Sequence, residues 1–338
     1  MEAVRLTGPE QVELVEVPAP EPEPDEVVIA VEQRGICGSD IHAYHGRHPF
    51  VHPPVVLGHE FAGRIARVGS GVGELSEGQR VTVEPSLVCG ECYNCTIGRY
   101  NICDNLQVIG CQTDGGFADY VTVPAAKTIP LPDNLTMAQG AMVEPLAVAY
   151  HALRVAGFEP GMQTVVLGAG TIGLCTLLAL REQTAGRIVV TDVLDEKLER
   201  ASDLGADLVL RGDAGGVVEQ ARDFFGRRAD VVFDCVTNEA SIAQAVALAE
   251  KGGRIVVEGV PGGEVPVPLH LVQDREIELR GALMYLREDY NAAIDAISGG
   301  RADVDALITD RFPLERVADA FERIDAAPAE VVKVQIGG

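Results

Sequence analysis

Four cysteines, Cys89, Cys92, Cys95 and Cys103, follow the pattern Cys-x2-Cys-x2-Cys-x7-Cys. Four thiolates on one short loop can surround a tetrahedral cation and leave no open position, which is the donor set of a structural zinc. Disulfide pairing is the competing reading. The close spacing disfavours it, as does the reducing compartment expected of a chain with no visible secretory signal. A second concentration of ligand-capable side chains is GICGSDIHAYHGRHPFVHPPVVLGHEF, Gly35 to Phe61, which holds five of the seven histidines. Cys37 offers a thiolate, and Gly58-His59-Glu60 sets an imidazole beside a carboxylate after the apolar PPVVL run. Three donors of mixed type with one open position describe a catalytic zinc. A buried thiol and a satisfied core histidine are the plain alternative, and spacing alone leaves both open.

A third pattern points to a nucleotide. The apolar run TVVLGAG leads into GAGTIG, with Gly168, Gly170, Thr171, Ile172 and Gly173, and then into a helical stretch. Glycines there permit a tight turn and a close approach of pyrophosphate to the helix N-terminus. The next strand, GRIVVTD, ends on Asp192, where an acid would bind both hydroxyls of an adenosine ribose and repel a 2′-phosphate. Val193 and Leu194 follow rather than arginines, so NAD is expected over NADP, with Lys197 also within reach of the ribose.

These residues need a scaffold, and 338 residues exceed one ordinary core, so two domains are expected. The first third reads as short strands, among them QVELVEV, EVVIAVEQ, FAGRIARV and FADYVTV, separated by glycine and proline turns. Near residue 145 strands begin to alternate with helices, from TVVLGAG and TIGLCTLLALRE through to GRIVVEG and EIELRGA. Such alternation implies crossover units and a parallel sheet covered on both faces. The tail holds helix candidates in DYNAAIDAISGG and LERVADAFERID and a last strand, VVKVQI, and is expected to rejoin the first domain. The boundaries so read are residues 1–145 with 285–338 for the β domain, and 146–284 for the nucleotide domain. A net charge of −24 opposes a general nucleic-acid surface. No apolar run reaches the ~18–20 residues of a membrane helix, and a cytoplasmic protein is expected.

Taken together, GICGSDIH, GHEFAG, the four-cysteine lobe, DGGFADYV, MVEPLAVAYHAL, GAGTIG with Asp192, and ITDRFPLERVADAFE make the chain resemble the zinc-dependent medium-chain alcohol and polyol dehydrogenases over essentially its whole length. The resemblance implies an α/β fold, a GroES-like β catalytic domain interrupted by a Rossmann domain, with the active site between them. Carried over by position, Cys37, His59 and Glu60 look like catalytic-zinc ligands, and Glu144 matches the glutamate of the sorbitol dehydrogenase branch. Cys89, Cys92, Cys95 and Cys103 look like the structural lobe. Ser39 matches the hydroxyl beside the substrate oxygen and His42 the proton-relay histidine. Asp40 reads as a turn-stabilising acid, and a helix cap is the alternative role for Ser39.

The loop AYHGRHPFVH borders the substrate pocket in relatives and offers Tyr44, Arg47 and His48, and Phe117 is a further pocket candidate. A neutral polyol has little use for an arginine there, whereas a carboxylate pairs with it bidentately. The string is similar to that of L-galactonate and L-gulonate 5-dehydrogenases, so a hexonate leads, with sorbitol, xylitol, L-threonine or 2,3-butanediol as alternatives. Pairing of Arg47 with a surface acid is the competing reading. Met284 stands where sorbitol dehydrogenases commonly carry an arginine. Cys111, Cys175 and Cys235 receive no role. A dimer or tetramer is expected by analogy. A non-catalytic NAD(H)- or sugar-sensing relative should have lost a ligand or the relay, and this chain keeps them.

Overall fold

Strand Glu26–Gly35 is the spine of the first unit. It pairs antiparallel with Glu60–Val68 along one side, and with Tyr120–Pro124 and Lys333–Gly337 at the two ends of the other. Its Val27, Ile29 and Val31 pack with Phe61, Ile65 and Val81 in one apolar cluster. A second cluster joins Leu6, Val55, Leu57 and Phe117 to Phe321 and Ile336 near the C-terminus. Each such side chain, fully buried, contributes about 1.5–3 kcal/mol. The last strand therefore returns to the sheet built on the spine Glu26–Gly35, while strand Glu2–Gly8 belongs to a separate three-stranded sheet.

The computed structural model describes residues 1–337, and the chain divides into two units, Met1–Glu144 with the segment from Leu286 onward, and Pro145–Tyr285. In the second unit six parallel strands run in the spatial order Leu208–Arg211, Ile188–Asp192, Thr164–Leu167, Ala229–Asp234, Ala249–Val257, Glu278–Gly281. The chain order reverses direction between Thr164–Leu167 and Ala229–Asp234, the switch point at which doubly wound sheets bind ligands. Helix Thr171–Glu182 follows the glycine-rich turn, and its residues from Gly173 to Leu180 are buried.

The segment after the spine shows little helical periodicity in its sequence, yet Gly38–Tyr44 is a helix. Seven residues are too few to be stable alone. Two contacts fix this one. At its start the Cys37 N–H donates to Asp40 Oδ2 at 2.8 Å. At its end the Tyr44 ring stacks on Phe321, with centroids 4.4 Å apart and planes 2° from parallel. A helix of under two full turns leaves too short a stretch for apolar periodicity to register.

Candidate active site

The register of two strands assembles the mixed-donor cluster. Gly35 lies opposite Glu60, so the residues just beyond each strand end, Cys37 and His59, come together despite their separation in sequence. The sulfur, imidazole and carboxylate donor atoms of Cys37, His59 and Glu60 lie within 4.8 Å of one another. Glu144, buried at the start of helix Val143–Ala156, lies outside that group of donors.

Asp40 does more than stabilise a turn. Its Oδ2 takes the Cys37 N–H, while Oδ1, buried and without a hydrogen bond, stands 3.7 Å from His59 Nδ1. A carboxylate on that side fixes the imidazole's orientation and leaves Nε2 for a metal, the usual second contact of a ligating histidine. Burial works against a charged His59, but the Asp40 and Cys37 charges outweigh it and raise the imidazole well above its ordinary value. A site whose surroundings favour positive charge on a thiolate-imidazole-carboxylate set fits zinc. Cys111, also buried, places its Sγ 4.0 Å from His59 Nδ1.

Lys333 is the residue the sequence reading passed over. Its ammonium donates to both Glu60 oxygens at 2.7 Å and to the Ile36 carbonyl at 3.0 Å, and both side chains are 1% exposed. The lysine sits on strand Lys333–Gly337, across the spine from Glu60. Gly35 lies between, and a Cβ there would come within 1.9 Å of Glu60 Oε2. The lone lysine in the apolar string VVKVQI was the available signal: a cation buried in a strand requires an acid.

Around this cluster, Ser39 is half-buried and His42 is exposed, on the helix that Cys37 opens. The cap of that helix is Cys37, not Ser39. His48 is half-buried; burial first, then the neighbouring His42 and His59, hold its pKa below the ordinary value. Arg47 is exposed and makes no ion pair among the described residues; its charge acts on His45, which is tied to Glu10 and Asp325. Tyr44 faces Phe321 in the apolar cluster, and Phe117 is buried against Gly58. Arg287 is committed to Glu84 at 2.9 Å and to the Ala126 carbonyl.

The four-cysteine lobe closes on itself. Cys89, Cys92, Cys95 and Cys103 hold their sulfurs within 4.8 Å of one another, and none forms a disulfide. The Sγ separations of 3.5 Å (Cys89–Cys103) and 3.9 Å (Cys92–Cys103) bracket the ~3.8 Å edge of a tetrahedron with ~2.3 Å Zn–S bonds. Backbone N–H groups of Cys89, Cys92 and Asn105 point at these sulfurs. Donation by the Glu91 and Cys92 amides lowers the Cys89 thiol to about 6.

In the second unit the carboxylate of Asp192 is aimed by two amides: Ala169 N–H donates to Oδ2 at 2.7 Å and Leu194 N–H to Oδ1 at 3.0 Å. Gly170 caps helix Thr171–Glu182, and Thr171 and Ile172 are its first, half-buried residues. A Cβ on Gly173 would lie 1.8 Å from the Gly168 carbonyl, so only glycine lets the helix close against the turn. Lys197 is half-buried on the following helix, Asp195–Asp203. This cradle fits a dinucleotide.

Comparison with known proteins agrees with both halves. Residues 23–133 match the alcohol dehydrogenase GroES-like domain and residues 171–299 the zinc-binding dehydrogenase domain. The chain is 34% identical to sorbitol dehydrogenase of Bacillus subtilis over 99% of its own length and 97% of the relative's. The chain belongs to the zinc-dependent medium-chain alcohol and polyol dehydrogenases. Among solved structures, an Escherichia coli protein described as a short chain alcohol dehydrogenase, complexed with NADH, superposes with a TM-score of 0.94 at 31% identity, covering 100% of this chain and 99% of the other. A zinc-binding dehydrogenase of Sinorhizobium meliloti, bound to NADP, gives 0.92 at 34% with coverage of 100% and 99%. L-idonate 5-dehydrogenase of E. coli gives 0.90 at 26%, covering 100% and 98%. The protein is accordingly an oxidoreductase that works with zinc and a nicotinamide cofactor on a small-molecule substrate. No helix among the described residues is long and apolar enough to cross a membrane.

Proposed function

We propose that this dehydrogenase oxidises a secondary hydroxyl of a sugar acid or polyol to a ketone with NAD+, and that its substrate is a hexonate. The observation that carries the acid is Arg47. In a chain with 51 acidic and 27 basic residues, an exposed guanidinium with no ion pair among the described residues is uncommitted. It lies one residue before His48, whose neighbours are His42 and His59. A planar fork at that place suits a carboxylate. The likeness to L-idonate 5-dehydrogenase runs in the same direction, and the likeness to sorbitol dehydrogenase keeps neutral polyols as the alternative.

Hydride cannot leave a carbinol until the hydroxyl has lost its proton. Zinc held by Cys37 and His59, with Glu60 or Glu144, supplies the Lewis acidity that makes this loss possible near neutral pH. The chain's own part is to carry the proton away. Ser39 accepts it from the substrate hydroxyl and passes it to His42, whose exposure opens the route to water. Lys333 and Gly35 hold Glu60, and Asp40 holds His59, so that the donor set keeps its shape. On the cofactor side, Asp192 takes the two ribose hydroxyls and its charge opposes a 2′-phosphate, with no arginine beside it. NAD is therefore preferred although a relative binds NADP. The assembly is a dimer or tetramer.

NADH appearance across hexonates and their matching polyols, with L-threonine and 2,3-butanediol alongside, tests the reading. Hexonate turnover should fall by at least ~10-fold in Arg47→Ala while polyol turnover holds. Turnover of neutral polyols alone, indifferent to Arg47, overturns the acid and leaves a sorbitol-type enzyme.

A further inference from the structure

The nucleotide unit carries a polar cluster that none of the roles above uses. Glu258 follows strand Ala249–Val257, and its Oε1 and Oε2 lie 3.5 and 3.3 Å from the Thr176 hydroxyl of the glycine-turn helix. Cys235 follows strand Ala229–Asp234 and places Sγ 3.5 Å from Glu258 Oε1. The Glu258 N–H donates to the Asp234 carbonyl at 2.9 Å, which locks the two strand ends together. Cys235 also borders the turn itself, its Cβ lying 3.8 Å from where a Cβ on Gly168 would stand. Cys235 and Glu258 both keep part of their surface open.

Placement gives this cluster its meaning. A doubly wound sheet consists of two mononucleotide-binding halves and takes a dinucleotide across the carboxyl ends at the switch point. Asp192 belongs to the half that holds the adenosine ribose. Cys235 and Glu258 directly follow the first two strands of the other half, where the nicotinamide nucleotide would lie. The groups facing Glu258 are the Thr176 hydroxyl from the helix, and Cys235 and Asp234 from the neighbouring strand. None is a cation. Asp234 is itself occupied by the Val236 and Thr237 amides and the Ser241 hydroxyl. Burial with no counter-charge raises the Glu258 carboxyl to about 8, and burial raises the Cys235 thiol well above its ordinary range.

We propose that Glu258 is a cofactor-facing acid that biases the protein between the two redox forms of its cofactor, favouring NAD+ over NADH when it is ionised. The inference rests on the reading of this unit as an NAD site. The two forms differ by one positive charge on the nicotinamide ring and share the same diphosphate. An acid beside the diphosphate repels both alike, whereas an acid on the nicotinamide side attracts only the oxidised ring. Linkage then makes the effect reciprocal: NAD+ favours loss of the Glu258 proton, and NADH favours its retention.

Direct binding of NAD+ and NADH to the zinc-loaded protein, by calorimetry from about pH 6.5 to about pH 9.5, tests this. In the wild type the ratio Kd(NADH)/Kd(NAD+) should rise about 3- to 10-fold across the range. In Glu258→Gln that rise should be absent, while any common drift in both constants from other titrating groups persists. Thermal melting of the variant verifies that it is folded, and Glu258→Asp should retain part of the rise. A ratio with the same pH course in wild type and Glu258→Gln overturns the proposal. Failure of either form to bind at any pH overturns the cofactor reading beneath it, which is a different result.

Discussion

The two metal-ligand clusters reach similar compactness by opposite means. In the lobe, four like donors come from one loop, and the backbone N–H groups of Cys89, Cys92 and Asn105 point at the sulfurs. The site is nearly self-contained. The mixed cluster takes three unlike donors from two strand ends, and each is held by something else: Cys37 and His59 by Asp40, Glu60 by Lys333 and the missing side chain of Gly35. A closed site that only has to bind can be built locally. A site that must keep a position open cannot let the metal fix every ligand, so the protein fixes them beforehand.

The contrast is broken most directly by removing one donor from each cluster. His59→Ala should reduce turnover by ~10^3-fold or more and remove one equivalent of zinc, with the melting temperature little changed. Cys103→Ala should also remove one equivalent of zinc, but its main effect should be a fall in melting temperature, since binding energy at a closed thiolate site is folding energy. Metal analysis with thermal melting on the two variants reads both. If His59→Ala unfolds the protein as readily as Cys103→Ala, the division between a structural and a pre-organised site is wrong.

A smaller effect tests the support behind the donors. Lys333→Met takes from buried Glu60 its ammonium partner, and in the zinc-free protein breaking a buried pair this way costs ~3–5 kcal/mol. Urea unfolding should register that loss. Adding Glu60→Gln to Lys333→Met should recover part of it, because the uncompensated charge is then gone. A single variant as stable as wild type would mean that Glu60 can turn away to another partner.

The same contrast explains what could be read from the amino-acid string. The grouping of the four cysteines was legible because they are neighbours in sequence, and the strand-turn-helix-strand unit because Gly168, Gly170, Gly173 and Asp192 punctuate one short stretch. Alternation of apolar runs likewise marked the parallel sheet. Cys37 and His59 were visible as donor types, but what joins them is the register of Gly35 opposite Glu60, a long-range pairing no local window contains. Lys333 lies still farther off in sequence, and Glu258 looked like any acid after a strand until Thr176, Cys235 and Asp234 surrounded it. The helix Gly38–Tyr44 was hidden because tertiary contacts, rather than propensity, make it.

That helix supplies the smallest prediction, since its two ends are anchored differently. Its N-terminal end is held by buried Asp40, and its C-terminal end partly by His45 on the surface. His45 Nδ1 is 3.1 Å from Glu10 and Nε2 is 3.1 Å from Asp325, and both bonds can be donated together only by the imidazolium. The Asp325 hydrogen bond chiefly raises the His45 pKa, burial opposes it, and the Glu10 bond adds to the rise. A folded value above the unfolded ~6.5 gives a contribution fully present below ~6.5 and lost as pH rises through the folded value. For a pair this accessible the gain is only ~0.5 kcal/mol, and salt lessens it further. The stability difference between wild type and His45→Gln, from urea unfolding, should therefore be largest near pH ~5.5 and vanish near pH ~8.5. Zinc at the mixed cluster should be retained across that range, because the buried Asp40 contact, not the surface clamp, holds the end that carries Cys37. Loss of zinc from His45→Gln would show that the two ends of the helix are coupled, and that the mixed site leans on the surface as well as on the core.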